Sequence, residues 1–488
     1  MLFNSAQFFV FFPLVTIAYF VLPHRYRWIM LLIASCYFYM AFIPIYILIL
    51  FFTILVDYSA GILIEDAPTE RRQFFLIGSI LANIGVLVVF KYFNFLSTNL
   101  ANLGNWLGWN YPIHVLAIIL PLGLSFHTFQ SLSYTIEVYR GRQKAERHPG
   151  IFALYVMFYP QLVAGPIERP YNLLHQFHEV HRFEYQRVTD GLKLMTWGLF
   201  KKVVIADRLA VTVNQVYNDP THYDGLALII ATVFFAYQIY CDFSGYSDIA
   251  LGSAQVMGFD LMKNFNRPYA AQSLSEFWKR WHISLSTWFR DYVYIPLGGN
   301  RVSQGRWQLN ILITFLLSGL WHGANWTFIV WGALHGLYQL VSFWASSIMR
   351  ASRLRLERVA WLRHSVSIVT TFAVVTFAWI FFRAKDLSDA FYIVMHLYTG
   401  IDFLITHPSV QTLKSVFSGL GMSGSDLLIL LASVGILEVV QFYQGKGSVR
   451  LQLASKPIWF RWALYYGLVC SIILFGNFGN NQFIYFQF

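Results

Sequence analysis

The sequence predicts an all-α polytopic membrane protein, and three observations carry that reading. Of 488 residues, 57% are hydrophobic and only 12% charged, about half the ~25% charge of an ordinary globular chain. Covering a water-soluble surface of this size takes far more polar side chains than 35 bases and 24 acids supply, whereas lipid asks for few. The 46 Phe, 29 Tyr and 16 Trp suit bilayer interfaces, where an apolar ring carries a polar tip into the headgroups. Apolar runs long enough to cross or enter ~30 Å of hydrocarbon recur along the whole chain.

In order, these runs lie at Phe8 to Leu22, Trp28 to Ile64, Phe74 to Phe90, His114 to Leu132, Ile151 to Val163, Leu192 to Val213 and Leu226 to Tyr240. They continue at Ile311 to Leu320, Trp326 to Ile348, Ser365 to Phe382, Asp426 to Tyr443 and Trp459 to Phe475. The run Trp28 to Ile64 is long enough for two helices, and Pro44 in its middle lacks the N–H that a continuous helix needs. The count comes to roughly ten to twelve crossings, with re-entrant and interfacial pieces besides. The start, MLFNSAQFFVFFPLV, has no basic leader and no small-residue cleavage site before Pro23, so it reads as a retained first helix.

The formal net charge of +11 does not point to nucleic acid, because the bases fall in short clusters between apolar runs, as in loops held at an anionic cytoplasmic leaflet. Arg140, Arg142, Lys144 and Arg147 form one such loop. Arg350, Arg353, Arg355, Arg358 and Arg363 form the strongest, and Lys446, Arg450 and Lys456 another. The base-poor segment Ala384 to Ser425 between the last two then lies outside the cell membrane. Cys36, Cys241 and Cys470 are far apart and suggest neither a disulfide framework nor a thiolate metal site. No internal repeat is apparent, which gives the inverted-repeat logic of transporters no support.

Between Asp242 and Ala324 the texture changes: polar, glycine-rich and charged residues interleave with Trp and Phe. Irregular backbone at membrane depth is tolerated only where it is buried in protein or lines a wet cavity, so this is where a reaction chamber belongs. Residues 238–340 are the motif-rich core of a single membrane domain spanning 1–488.

Two of the fourteen histidines lie between Asp242 and Ala324, His282 in SEFWKRWHISLSTWFRDY and His322 in LLSGLWHGANWTF. Imidazole titrates near neutrality, which suits it to take a proton from a hydroxyl and return one. The competing reading for each is a buried histidine bonded to backbone. Gly319 and Gly323, around Trp321 and His322, allow close approach of backbone or ligand. Asn325, three residues on, orients His322 if the segment is helical.

Around His282 a helix would pair Glu276 with Arg280 and gather Phe277, Trp281, Leu285, Trp288 and Phe289 on one face, the pattern of an interfacial amphipathic helix. Lys279, Arg280 and Arg290, beside Asp291 and with Arg301 and Arg306 downstream, are alternatively a grip for the phosphates of a nucleotide-containing donor. Asp242 and Asp248, in CDFSGYSDIALG, are costly next to an apolar run, and pairing with a core arginine is favoured over direct catalysis. His175, His178 and His181 lack the spacing of a zinc helix. There is no nucleotide-triphosphate loop and no serine-hydrolase elbow.

Taken together, these segments resemble the membrane-bound O-acyltransferase family, in its bacterial alginate O-acetylation branch. The resemblance covers the chain from MLFNSAQFFVFFPL through YPQLVAGPIERP, QIYCDFSGYSDIALG, NFNRPY, FWKRWHISLSTWFRDYVYIPLGGNR and GLWHGANWTFIVWGALHG to FIYFQF. It implies a helical core with a tunnel across its thin centre, His322 as the family's near-invariant histidine and His282 as its second active-site position. It also implies transfer of acetyl groups from a cytoplasmic thioester, acetyl-CoA, to an extracytoplasmic polysaccharide. The resemblance implies as well that no cofactor is held permanently, that the place of action is the bacterial inner membrane among its lipids, and that an SGNH-type transferase partner completes delivery. The favoured mechanism has His322 as general base, kept neutral by burial, with His282 or a nearby donor holding the carbonyl or acceptor. An acetyl-histidine relay, a D-alanyl transferase of the teichoic-acid branch, a transporter or flippase, and a structural scaffold are the alternatives.

Overall fold

The computed structural model describes residues 1–109, 115–116, 121–351, 360–400, 406, 409–479 and 483–484. Arg353, Arg355 and Arg358 of the strongest basic loop, and residues 485–488 of the closing motif, lie outside the described residues. Among the described residues, six helices are long and apolar enough to cross a membrane: Pro44–Asp66, Thr69–Trp106, Gly225–Met257, Trp361–Arg383, Gly424–Gly445 and Ile458–Phe475. On five of them, Gly225–Met257 excepted, large apolar side chains stand exposed, among them Leu55, Leu81, Val369, Leu431, Trp459 and Leu474. Such a surface is stable in lipid and not in water. The protein is a multi-pass membrane protein.

Several apolar runs of the sequence are not simple spans. Trp28 to Ile64 splits as Pro44 requires, into His24–Met40 and Ile47–Asp66, with a 3-10 turn at Pro44–Tyr46. Ile151 to Val163 becomes two short helices, Pro149–Met157 and Tyr159–Leu162, with every side chain from Ile151 to Leu162 buried. Leu192 to Val213 is interrupted by a π-helical turn at Phe200–Ala206, also wholly buried. Apolar composition serves protein interior as well as lipid, and here these two segments are interior.

The chain divides into two compact units. The first comprises residues 1–195 and 247–263. In it, helices Ile47–Asp66, Thr69–Leu87 and Leu124–Tyr139 pack on one another around a polar seam. Ser79 Oγ donates to Asp57 at 2.6 Å and Asn83 Nδ2 at 2.9 Å, which satisfies a carboxyl that is fully buried. At one end of the same bundle Arg147 grips Asp66 through both terminal nitrogens, at 2.9 and 2.7 Å. The three closely spaced histidines turn to separate partners: His178 to Glu146, His181 to the Gln176 carbonyl and His175 to Glu179.

The second unit comprises residues 196–246 and 264–488. Helix Gly225–Met257 contributes its first part here and its last part to the first unit. Gln304–His322 and Trp326–Ala351 form a helical hairpin, against which Ala360–Arg383 packs. A Cβ on Gly319 would collide with the Phe328 carbonyl, and one on Gly332 with that of Phe315. The two helices therefore approach at backbone distance. Gly319 serves helix packing, the backbone alternative of the two uses its position allowed.

Candidate active site

The segment that reads as one amphipathic helix is two short ones, Leu274–Arg280 and Ile283–Phe289. Ser273 caps the first by accepting from the Glu276 amide at 3.2 Å. The break falls on His282, whose φ of 42° and ψ of 55° are left-handed; among the described residues only Arg267 shares a positive φ without being glycine. Such a conformation persists only where surrounding contacts impose it. Here the loop Asn264 to Arg267 imposes it: the Asn266 amide donates to the Arg280 carbonyl at 2.9 Å and the Ile283 amide to the Asn264 carbonyl at 2.9 Å. A continuous helix would keep the His282 side chain in register with its neighbours. The kink turns it inward, where it is completely buried.

The tautomer of His282 follows from its neighbour. Asn264 Oδ1 accepts from Ser284 Oγ at 2.9 Å and lies 3.0 Å from His282 Nδ1. Nδ1 therefore carries the proton and Nε2 is the basic nitrogen. This segment is outside the spanning helices, and burial pushes the imidazole down to about 3. Loss of hydration disfavours the charged form, so the ring is neutral at physiological pH.

His322 is the last residue of its helix, buried between rings. Trp321 lies 4.9 Å away, Trp331 5.0 Å and Phe382 5.1 Å, each edge-on. The Trp321 ring is also 6.1 Å from His282, again edge-on. The two histidines thus both stand edge-on to one indole within a single unit. That is the constellation named from the sequence, brought together by a helix end on one side and a left-handed kink on the other.

The remaining candidates divide. The helix ends at His322, so Asn325 is not on its face; its Nδ2 donates to the Lys385 carbonyl at 2.9 Å and its Oδ1 accepts from the Thr327 amide at 3.1 Å. It caps the next helix and does not orient the imidazole. Arg280 is committed to Glu276 and the Arg267 carbonyl. Arg290 Nε donates to Asp291 at 2.8 Å. Lys279 and Arg290 both line a cavity of about 820 Å³, whose walls include Trp278, Phe289, Trp307 and Phe315 and whose lining reaches Ser318, four residues before His322. Trp331 lies 5.8 Å from Trp278 on that wall and 5.0 Å from His322.

Asp242 pairs with a lysine, not with the arginine that the sequence suggested. Lys202 Nζ lies 2.8 Å from its Oδ1 and 2.8 Å from Asp207 Oδ1. Lys201, next to it, donates to Ser244 at 2.9 Å. Neither lysine stood out in the sequence, since both sit in an apolar run read as a crossing. Two adjacent bases in such a run were the available signal. Asp248 belongs to the part of helix Gly225–Met257 that lies in the first unit.

The sequence profile of the membrane-bound O-acyltransferase family matches residues 148–380, which include both histidines. Over 450 residues the chain is 39% identical to a probable alginate O-acetylase, AlgI, of Azotobacter vinelandii, covering 91% of this chain and 86% of that protein. The chain belongs to the membrane-bound O-acyltransferase family. Another probable alginate O-acetylase, of Pseudomonas aeruginosa, is 42% identical over 395 residues, 80% of this chain and 73% of that one. A peptidoglycan O-acetyltransferase of Helicobacter pylori is 34% identical over 424 residues, 80% of this chain and 78% of its own length. This membrane-bound O-acyltransferase accordingly has the helical, multi-pass architecture and the acyl-transfer activity that its segments imply.

Proposed function

We propose that the chain takes acetyl groups from cytoplasmic acetyl-CoA and passes them on for O-acetylation of an extracytoplasmic polysaccharide, from a position in the bacterial inner membrane. The observation that carries the reading is the pair of buried histidines that both pack against Trp321. The relatives named as alginate O-acetylases and as a peptidoglycan O-acetyltransferase support acetyl as the group and a glycan as the final acceptor.

The donor reaches the site through the cavity beside Lys279 and Arg290. Its phosphates pair with those bases, and its linear arm lies against the apolar walls. His322 takes the proton of an acceptor hydroxyl as the oxygen attacks the thioester carbonyl. The C–S bond breaks, the new ester forms, and the thiolate of coenzyme A leaves with the proton that His322 returns. His282 holds the carbonyl or the acceptor in place, its ring oriented by Asn264. Polymer is too bulky to reach a buried His322, so an intermediate acceptor carries the acetyl group outward and an SGNH-type transferase partner delivers it.

The experiment uses vesicles containing the purified protein, with acetyl-labelled coenzyme A outside. Release of unlabelled coenzyme A with label retained on an acceptor supports acetyl transfer. Movement of intact acetyl-CoA into the lumen without thioester cleavage would overturn it. Efficient acetylation of polysaccharide by this chain alone would overturn the partner relay.

A further inference from the structure

One cluster in the second unit has no part in the chemistry just described. Lys202 Nζ sits between Asp207 and Asp242, 2.8 Å from each, with all three side chains buried. The second oxygen of Asp242 accepts the backbone N–H of Ile484 at 2.8 Å. The chain beyond the helix Ile458–Phe475 is tied to this cluster at another point as well: the Asn477 amide donates to the Val203 carbonyl at 2.8 Å, and Asn477 Nδ2 to the Asp207 carbonyl at 3.3 Å. Phe483 and Ile484 are each 1% exposed. The Phe483 ring packs 4.7 Å from Tyr246 and 5.6 Å from Phe243, and Phe243 stands edge-on to His282 at 4.6 Å.

We propose that Lys202 is a positioning residue for acyl transfer: it fixes Asp242, Asp242 fixes the Ile484 backbone, and Phe483, so seated, holds Phe243 against His282. The inference rests on the reading that His282 serves the reaction. The physical argument begins with charge. A buried carboxylate keeps its ionised form and its geometry only with a partner, and removing Lys202 takes away the cation that Asp207 and Asp242 share. One of them must then protonate or turn away, and the acceptor for the Ile484 amide goes with it. The bond to Ile484 sets its neighbour Phe483 against Phe243, and Phe243 in turn stands against His282.

The test compares Lys202→Met, Ile484→Pro and Ile484→Val, alone and with His282→Gln. Ile484→Pro deletes the donated N–H and leaves all three charges in place, so it remains informative if Lys202→Met fails to fold. Lys202→Met and Ile484→Pro should each lower kcat at least about tenfold with KM for acetyl-CoA within about twofold, while Ile484→Val stays near wild type. In the His282→Gln background neither should lower turnover further, because both act through that ring. Equal effects of proline and valine, or losses that add to that of His282→Gln, would overturn the positioning role alone. Full turnover by His282→Gln itself would overturn the reading beneath it as well.

Discussion

Replacing His282 with Gln should change how the protein's stability depends on pH, by an amount that its burial fixes. In the unfolded chain the imidazole titrates near 6.5, and in the folded protein near 3. Between those values the unfolded state binds a proton that the folded state does not, so stability falls as pH falls. Going from pH 7.5 to 5 takes the ring about 1.5 pH units below its unfolded pKa, at about 1.4 kcal/mol per unit, which costs about 2 kcal/mol. Glutamine carries no such linkage. The wild type should therefore lose about 2 kcal/mol more stability than His282→Gln over this interval. Denaturant unfolding of the detergent-solubilised proteins at both pH values, followed by tryptophan fluorescence, measures the difference, and titrations common to the two proteins cancel. Equal losses in the two proteins would show that His282 is not a buried neutral imidazole, and the tautomer assigned from Asn264 would fall with it.

The hairpin that carries His322 should be intolerant of side chains at its crossing: Gly319→Ala and Gly332→Ala should each cost about 1–3 kcal/mol. Gly305→Ala, with nothing within 4 Å of its new Cβ, should not lower the melting temperature. Lys279→Ala and Arg290→Ala should raise KM for acetyl-CoA by about three- to tenfold, with kcat and the KM for acetyl-pantetheine nearly unchanged; an unmoved KM for acetyl-CoA would remove them from donor binding. A cysteine at Ser352 should resist an impermeant thiol reagent in intact spheroplasts while one at Ser415 reacts, and the reverse pattern would invert the orientation.

Much of this was legible because lipid solvation leaves a plain signature. The apolar runs, the break at Pro44 and the unusual stretch between Asp242 and Ala324 follow from chain-local physics. His322 and His282 stand out in the sequence because ionisable groups in such surroundings are few. What stayed hidden depends on contacts distant in sequence. The left-handed kink at His282 is imposed by the loop at Asn264, and no local pattern in FWKRWHISLS records it. The partner of Asp242 lies forty residues away in a π-turn, inside an apolar run that looks like a crossing. Asn325 reads as a neighbour of His322 only if the helix continues, and Gly323 ends it. Ile151 to Val163 looks like a span because the interior of a protein and the interior of a bilayer select the same side chains.

The central claim is that His322 is the base in acyl transfer, and turnover of acetyl-CoA by purified wild type and His322→Ala, side by side with their melting temperatures, tests it most directly. The account predicts an unchanged melting temperature and a fall in kcat/KM of at least ~100-fold, the lower end of what a general base contributes. Turnover within about threefold of wild type by a folded His322→Ala protein would contradict it.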